Sequence, residues 1–178
     1  MTETSERATE TRGVRLEIDH VGKVFGFGTA TPFEALRPLS IAIQPGEFVS
    51  VVGPSGCGKS TLMLMVAGLL EPTTGIVRVG GKPLNGAMID VGIVFQDHLL
   101  MEFRTAEDNV LLQGIIRKLP MAPIRERTRE LFDRLGLSRS AANRYPHQLS
   151  GGMRQRVSLA RALVLRPSVL AENLSMEL

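Results

Sequence analysis

Between the run Phe48–Val52, which is β-branched and nearly all apolar, and the apolar-rich stretch Lys59–Leu70 lies Gly-Pro-Ser-Gly-Cys-Gly-Lys-Ser, residues 53–60. The octet satisfies G-x-x-x-x-G-K-[ST]. Its flanks are the ones that motif requires: Phe48–Val52 reads as a strand covered on both faces, and Lys59–Leu70 as a buried helix that closes near Gly68 and the Glu71–Gly75 turn. Glycines let such a loop turn its backbone N–H groups inward, and the helix that follows adds the positive end of its dipole, so the loop is a cradle for phosphate. Lys59 supplies a compact charge between β- and γ-phosphates, and the Ser60 hydroxyl, with Thr61 beside it, is the Mg²⁺ ligand. Cys57 sits at a variable position and reads as a small packed residue, not a nucleophile. A strand–loop–helix of this kind belongs to an α/β fold with a parallel sheet.

Composition removes several alternatives. The chain has 178 residues, 43% hydrophobic and 22% charged, enough for one core and too little for two ordinary ones. No apolar run approaches the roughly 18 residues of a membrane span. Met1–Gly13 lacks the apolar segment of a secretory signal and reads as a disordered tail, which points to a cytosolic protein. The single Cys57 excludes an internal disulfide, and His20, His98 and His147 are too scattered to suggest a metal site. Twenty-one basic residues are nearly balanced by 18 acidic ones, and with one Tyr and no Trp there is no basic-aromatic stripe for nucleic acid.

Along the chain, Val14–Ile18 and Leu39–Ile43 alternate as half-buried strands, and the Gln44–Glu47 turn is expected to join the second to Phe48–Val52 in a hairpin. Ile76–Val79 and Val91–Phe95 are further strands. From Arg104 to Gln148 the pattern turns helical and charged: Thr105–Asp108 reads as a capping box, and Pro120 with Pro123 breaks the first helix from the next. Another helix is expected over Gly152–Leu165 and a short strand over Ser168–Ala171.

A phosphate loop alone fits a GTPase, a small-molecule kinase or a transport ATPase, and the segment Tyr145–Arg156 separates them. It contains Leu149-Ser150-Gly151-Gly152-x-x-Gln155, followed by the Leu159–Leu163 helix, and no Asn-Lys-x-Asp guanine motif is present. From Val14 to Leu170 the chain resembles the ATP-binding cassette (ABC) proteins. Physically, a hydroxyl and two bare backbone N–H groups just ahead of a helix form a second anion site. The resemblance implies that this signature grips, in trans, the nucleotide held by the partner cassette's loop (Gly53, Pro54, Ser55, Gly56, Cys57, Gly58, Lys59, Ser60 and Thr61 here). It implies that Gln96, after the strand Val91–Phe95, reaches Mg²⁺ and the attacking water, and that Phe25 stacks on adenine, with Phe27 as competitor and core packing as the alternative.

The expected fold is therefore a P-loop NTPase, a RecA-like parallel sheet with an antiparallel β segment, plus a helical ABC subdomain. The divisions are a tail over 1–13, a core over 14–103, a helical subdomain over 104–150, and the signature helix with an incomplete Walker B strand over 151–178. The motifs most resemble importer ATPases for nitrate, sulfonate, taurine or similar solutes. Such a subunit uses ATP and Mg²⁺ and pairs with a like or different cassette. It lies on the inner face of the cell membrane beneath permease subunits, served indirectly by a solute-binding protein. Leu99, Leu100, Met101 and Phe103 resemble the segment where a permease docks, and buried core is the alternative. The chain departs from the family after Pro167: Asn173 stands where the Mg²⁺-supporting aspartate belongs and Leu174 where the catalytic glutamate belongs. Using Glu172 instead turns the side chain to the opposite face. With the switch histidine and closing strands absent as well, the expectation is a truncated core that binds nucleotide and hydrolyses it slowly or not at all.

Overall fold

A computed structural model describes residues 13–86 and 91–172. The expected tail, apart from Gly13, and the departures at Asn173 and Leu174 lie outside them. Four strands make an antiparallel sheet: β1 (Leu16–Phe25), β2 (Phe33–Ile43), β3 (Thr74–Val79) and the short β4 (Lys82–Pro83), in the order β2-β1-β3-β4. Helix α1 (Lys59–Val66) packs on this sheet. Two further strands, β5 (Val91–Val94) and β6 (Val169–Glu172), pair in parallel, and between them run α2 (Ala106–Ile116), α3 (Met121–Arg134) and α4 (Gly151–Leu163).

The central strand shows how the sequence is read by the fold. Leu16 and Ile18 alternate inward and are buried, with Val79 and Val77 as their partners on β3. A register shift then follows, where His20 adopts φ 52°, so that Val21 and not His20 turns into the core. Asp19 is held below the usual carboxylate range by its hydrogen bond to the His20 ring and then by Arg78, and it closes the outer side of this bulge. Leu62, Met65 and Val66 of α1 complete this first core.

The second core is helical. Val110 and Leu111 of α2, Leu131 and Phe132 of α3, and Val157 and Ala160 of α4 are all buried together. The Thr105 hydroxyl accepts the Asp108 N–H at 3.2 Å and so caps α2, the first half of the expected capping box, while the Asp108 carboxylate accepts from the same hydroxyl at 2.9 Å and not from the Thr105 N–H. Leu111→Ala, at a site 1% exposed, is expected to cost about 2–5 kcal/mol, read as a lower denaturant midpoint with an unchanged m-value.

Three expectations are corrected. Phe48–Val52 forms no strand among the described residues, and it is not covered on both faces: Phe48 is 90% exposed and Val52 68%. The Gln44–Glu47 turn exists, with Glu47 N–H donating to the Gln44 carbonyl at 3.0 Å, but it makes no hairpin. The hairpin is instead β1–β2, closed through Gly26–Pro32, because β2 already spends its ladder on β1. Pro123 does not break a helix. It lies in the first turn of α3, where a missing N–H costs nothing, and Pro120 alone marks the boundary.

Candidate functional site

Residues 53–58 form a loop, exposed up to Cys57 and half-buried at Gly58, that enters α1 at Lys59. Gly58 fixes how the loop enters α1 beside β2: its φ is +96°, and a Cβ there would stand 2.6 Å from the Ala35 carbonyl oxygen of β2. Only glycine permits both the left-handed turn and this approach. Gly58→Ala is expected to cost about 1–3 kcal/mol, visible as a depressed Tm.

The Lys59 side chain folds back over the loop, its Nζ donating to the Gly53 carbonyl at 2.6 Å and the Pro54 carbonyl at 2.7 Å. Cys57 Sγ lies 3.6 Å away, and the thiol is exposed and not packed as the sequence reading expected. An ammonium folded over an exposed glycine-rich loop that leads into the start of a helix is a fit for polyphosphate. Ser60 and Thr61 follow on the first turn of α1.

Phe25, at the end of β1, pairs across the hairpin with Phe33, two residues before the Ala35 that touches the loop. Phe25 is 43% exposed and not core, with the Lys23 ammonium 5.3 Å from its ring centre, while Phe27 stands out on the hairpin turn. Gln96 is exposed just past the C-terminal end of β5. In the neighbouring parallel strand Glu172 is in register with Val94, so the ends of β5 and β6 lie side by side.

The Leu149–Gln155 segment belongs to the other core. Leu149 is buried and anchors the turn, and the Ser150 hydroxyl caps α4 by accepting the Met153 N–H at 3.3 Å. Gly151 and Gly152 have no positive φ, and a Cβ at either would meet nothing within 4 Å. Neither glycine is required by its own chain's packing. Gln155 lies one turn on from Gly151 and faces solvent with it. The phosphate loop and this turn thus sit on different core clusters, and both open outward.

A model of the family described as ABC transporter matches residues 36–171, which take in the loop, Gln96 and the signature turn. The chain is an ABC-family ATP-binding cassette. Among its relatives, the nitrate import ATP-binding protein NrtC of Synechococcus elongatus is 40% identical over 88% of this chain and 24% of its own length. The spermidine/putrescine import ATP-binding protein PotA of Thermobifida fusca is 43% identical over 87% of this chain and 41% of its own. The dimeric cassette MJ0796, solved with ADP and Pi, superposes with a TM-score of 0.78 at 34% identity, over 88% of this chain and 72% of that one. The chain therefore spans less than half the length of these curated relatives.

Two features of this cassette escaped the sequence reading. Asn109 is fully buried: its Oδ1 accepts the Met101 N–H at 2.7 Å, and its Nδ2 donates to the carbonyls of Met101, Arg104 and Thr105. Arg161 of α4 donates from Nη1 to the Leu99 carbonyl at 2.7 Å and from Nη2 to the His98 carbonyl at 3.0 Å, and burial lowers its pKa. The signals were an asparagine heading the run Val110–Leu112 and an arginine set between Ala160 and Ala162.

Proposed function

We propose that this cassette is the ATP-binding subunit of an importer, coupling ATP binding and hydrolysis to uptake of a small solute through permease subunits at the inner face of the membrane. The observation that carries this reading is the pair Gly151–Gly152. Glycine at a helix start without positive φ or close neighbours costs stability and gains nothing inside its own chain, so the bare surface serves a partner. A second cassette that presents a triphosphate from its own loop fits that surface.

In this scheme the backbone of 53–58 and Lys59 hold the phosphates, Ser60 and Gln96 are the side chains for Mg²⁺, and Phe25 lies beneath the adenine. Mg²⁺, when bound, supplies charge neutralisation at the phosphates. Ser150 and the N–H groups of Gly151 and Gly152 grip the partner's nucleotide, with Gln155 beside them. The solute in this reading is nitrate, sulfonate, taurine or a similar small solute, in line with the nitrate-import relative; a relative named for spermidine and putrescine is equally similar, as expected if the permease and binding protein choose the solute.

The second reading, a nucleotide-binding cassette with slow hydrolysis, is favoured by neutral Asn173 and Leu174 after β6. MgATP titration followed by light scattering tests both. A nucleotide-dependent dimer with phosphate release supports the importer ATPase, and a persistent dimer without release supports the slow cassette. A monomer at saturating MgATP rejects the shared-nucleotide scheme.

A further inference from the structure

The stretch from His98 to Thr105, between β5 and α2, has no helix or strand and yet presents three large apolar side chains to solvent: Leu99 is 57% exposed, Met101 41% and Phe103 75%. Within the strap the backbone–backbone bond is a single turn, the Arg104 N–H donating to the Met101 carbonyl at 3.0 Å, which leaves its first half without support of its own. It is held from two sides instead. Asn109 stitches Met101, Arg104 and Thr105 to α2, and the Arg161 fork takes the carbonyls of His98 and Leu99 onto α4. Leu99 carries φ 45°, a left-handed conformation that a leucine adopts only when its surroundings hold it there. The group that reaches its carbonyl is Arg161, and no carboxylate among the described residues pairs with that guanidinium. The same helix begins at Ser150 and Gly151.

We propose that Arg161 is a positioning residue that locks the apolar strap 98–103 to the signature helix, so that engagement of nucleotide at the start of α4 is transmitted to the surface formed by Leu99, Met101 and Phe103. The inference rests on the nucleotide role given above for Ser150 and Gly151. A guanidinium suits the task because its planar fork holds two successive carbonyls from two separate nitrogens in fixed geometry, whereas a lysine ammonium is a single rotatable centre on a flexible stem. Leu100, between the two exposed positions, packs against the helical core, so a rotation at Leu99 cannot be absorbed within the strap.

Amide hydrogen exchange on the full chain tests this, for wild type, Arg161→Met and Arg161→Lys, with and without saturating MgATP. Without nucleotide, Arg161→Met is expected to speed exchange across 99–103 by tenfold or more, with Arg161→Lys intermediate. With MgATP, wild type is expected to slow exchange in the strap as well as at Gly151–Met153. Arg161→Met is expected to keep the response at Gly151–Met153 and lose it in the strap, a separation that general destabilisation of the fold would not produce, and Arg161→Lys is expected to restore part of the strap's response. Unchanged exchange in nucleotide-free Arg161→Met overturns the proposal. So does a strap in that variant that still answers MgATP, or a wild-type strap that does not answer while Gly53–Lys59 is protected. If MgATP protects neither Gly53–Lys59 nor Gly151–Met153, the nucleotide reading itself fails, and the proposed transmission falls with it. Arg161→Lys keeps the test open should Arg161→Met fail to fold.

Discussion

Lys59→Ala is expected to weaken MgATP binding by roughly 10- to 150-fold while moving Tm by little. The binding effect follows from losing a charged donor at the phosphates, worth about 1.5–3 kcal/mol. The small stability effect follows from what Lys59 touches in the structure: the carbonyls of Gly53 and Pro54 lie in an exposed loop, so water replaces the ammonium when it is gone. Lys59→Arg is expected to be little better, because a planar guanidinium does not fill the place of a compact ammonium between two loop carbonyls. Isothermal titration with MgATP and a thermal melt of the same sample check both halves. A variant that binds as wild type does would place the phosphate elsewhere.

The second large effect pairs gain with loss. Gly151→Ala is expected to stabilise the isolated chain by about 0.4–1 kcal/mol, since the residue needs no positive φ and the new methyl enters open space. In the proposed dimer the same methyl projects into the surface offered to a partner's nucleotide. Overpacking there by about 1–3 kcal/mol is expected to weaken the MgATP-dependent dimer by roughly 5- to 150-fold. Denaturation curves and light scattering, taken together, separate this from ordinary damage: a destabilised variant would lose both. An alanine that stabilises the fold and leaves the dimer intact would remove the reason for glycine at this position.

What could be seen in advance was what chemistry writes locally. The loop at 53–60, the Thr105 cap, the start of α4 at Ser150 and the helical stretch between them depend on neighbours within a few residues, and each stands where its residues put it. Phe48–Val52 failed for the opposite reason. Its composition states the environment a parallel strand wants, and parallel partners come from remote parts of a chain, so composition could not report that no described strand lies beside it. The shift at His20 was hidden because a left-handed histidine leaves no mark in the sequence. At the candidate site, the residues were legible from motif and their arrangement was not. That Phe25 lies near the loop depends on the Phe25–Phe33 pairing and the Ala35–Gly58 contact, both set by hairpin register. The Arg161 and Asn109 bonds bridge segments whose meeting depends on how α2 and α4 pack.

The bare stretch ahead of the phosphate loop has a colloidal consequence. Phe48, Val49, Val51 and Val52 present apolar side chains to water along a backbone with no ladder partner among the described residues, and Phe33 and Phe27 add to the same kind of surface. Such a run is a template on which another extended chain can crystallise out, one amide at a time. The threshold concentration for turbidity is therefore expected to depend on this run and not on the net charge of +3 alone, and a single lysine introduced as Val51→Lys is expected to raise it without touching residues 53–60 or 149–155.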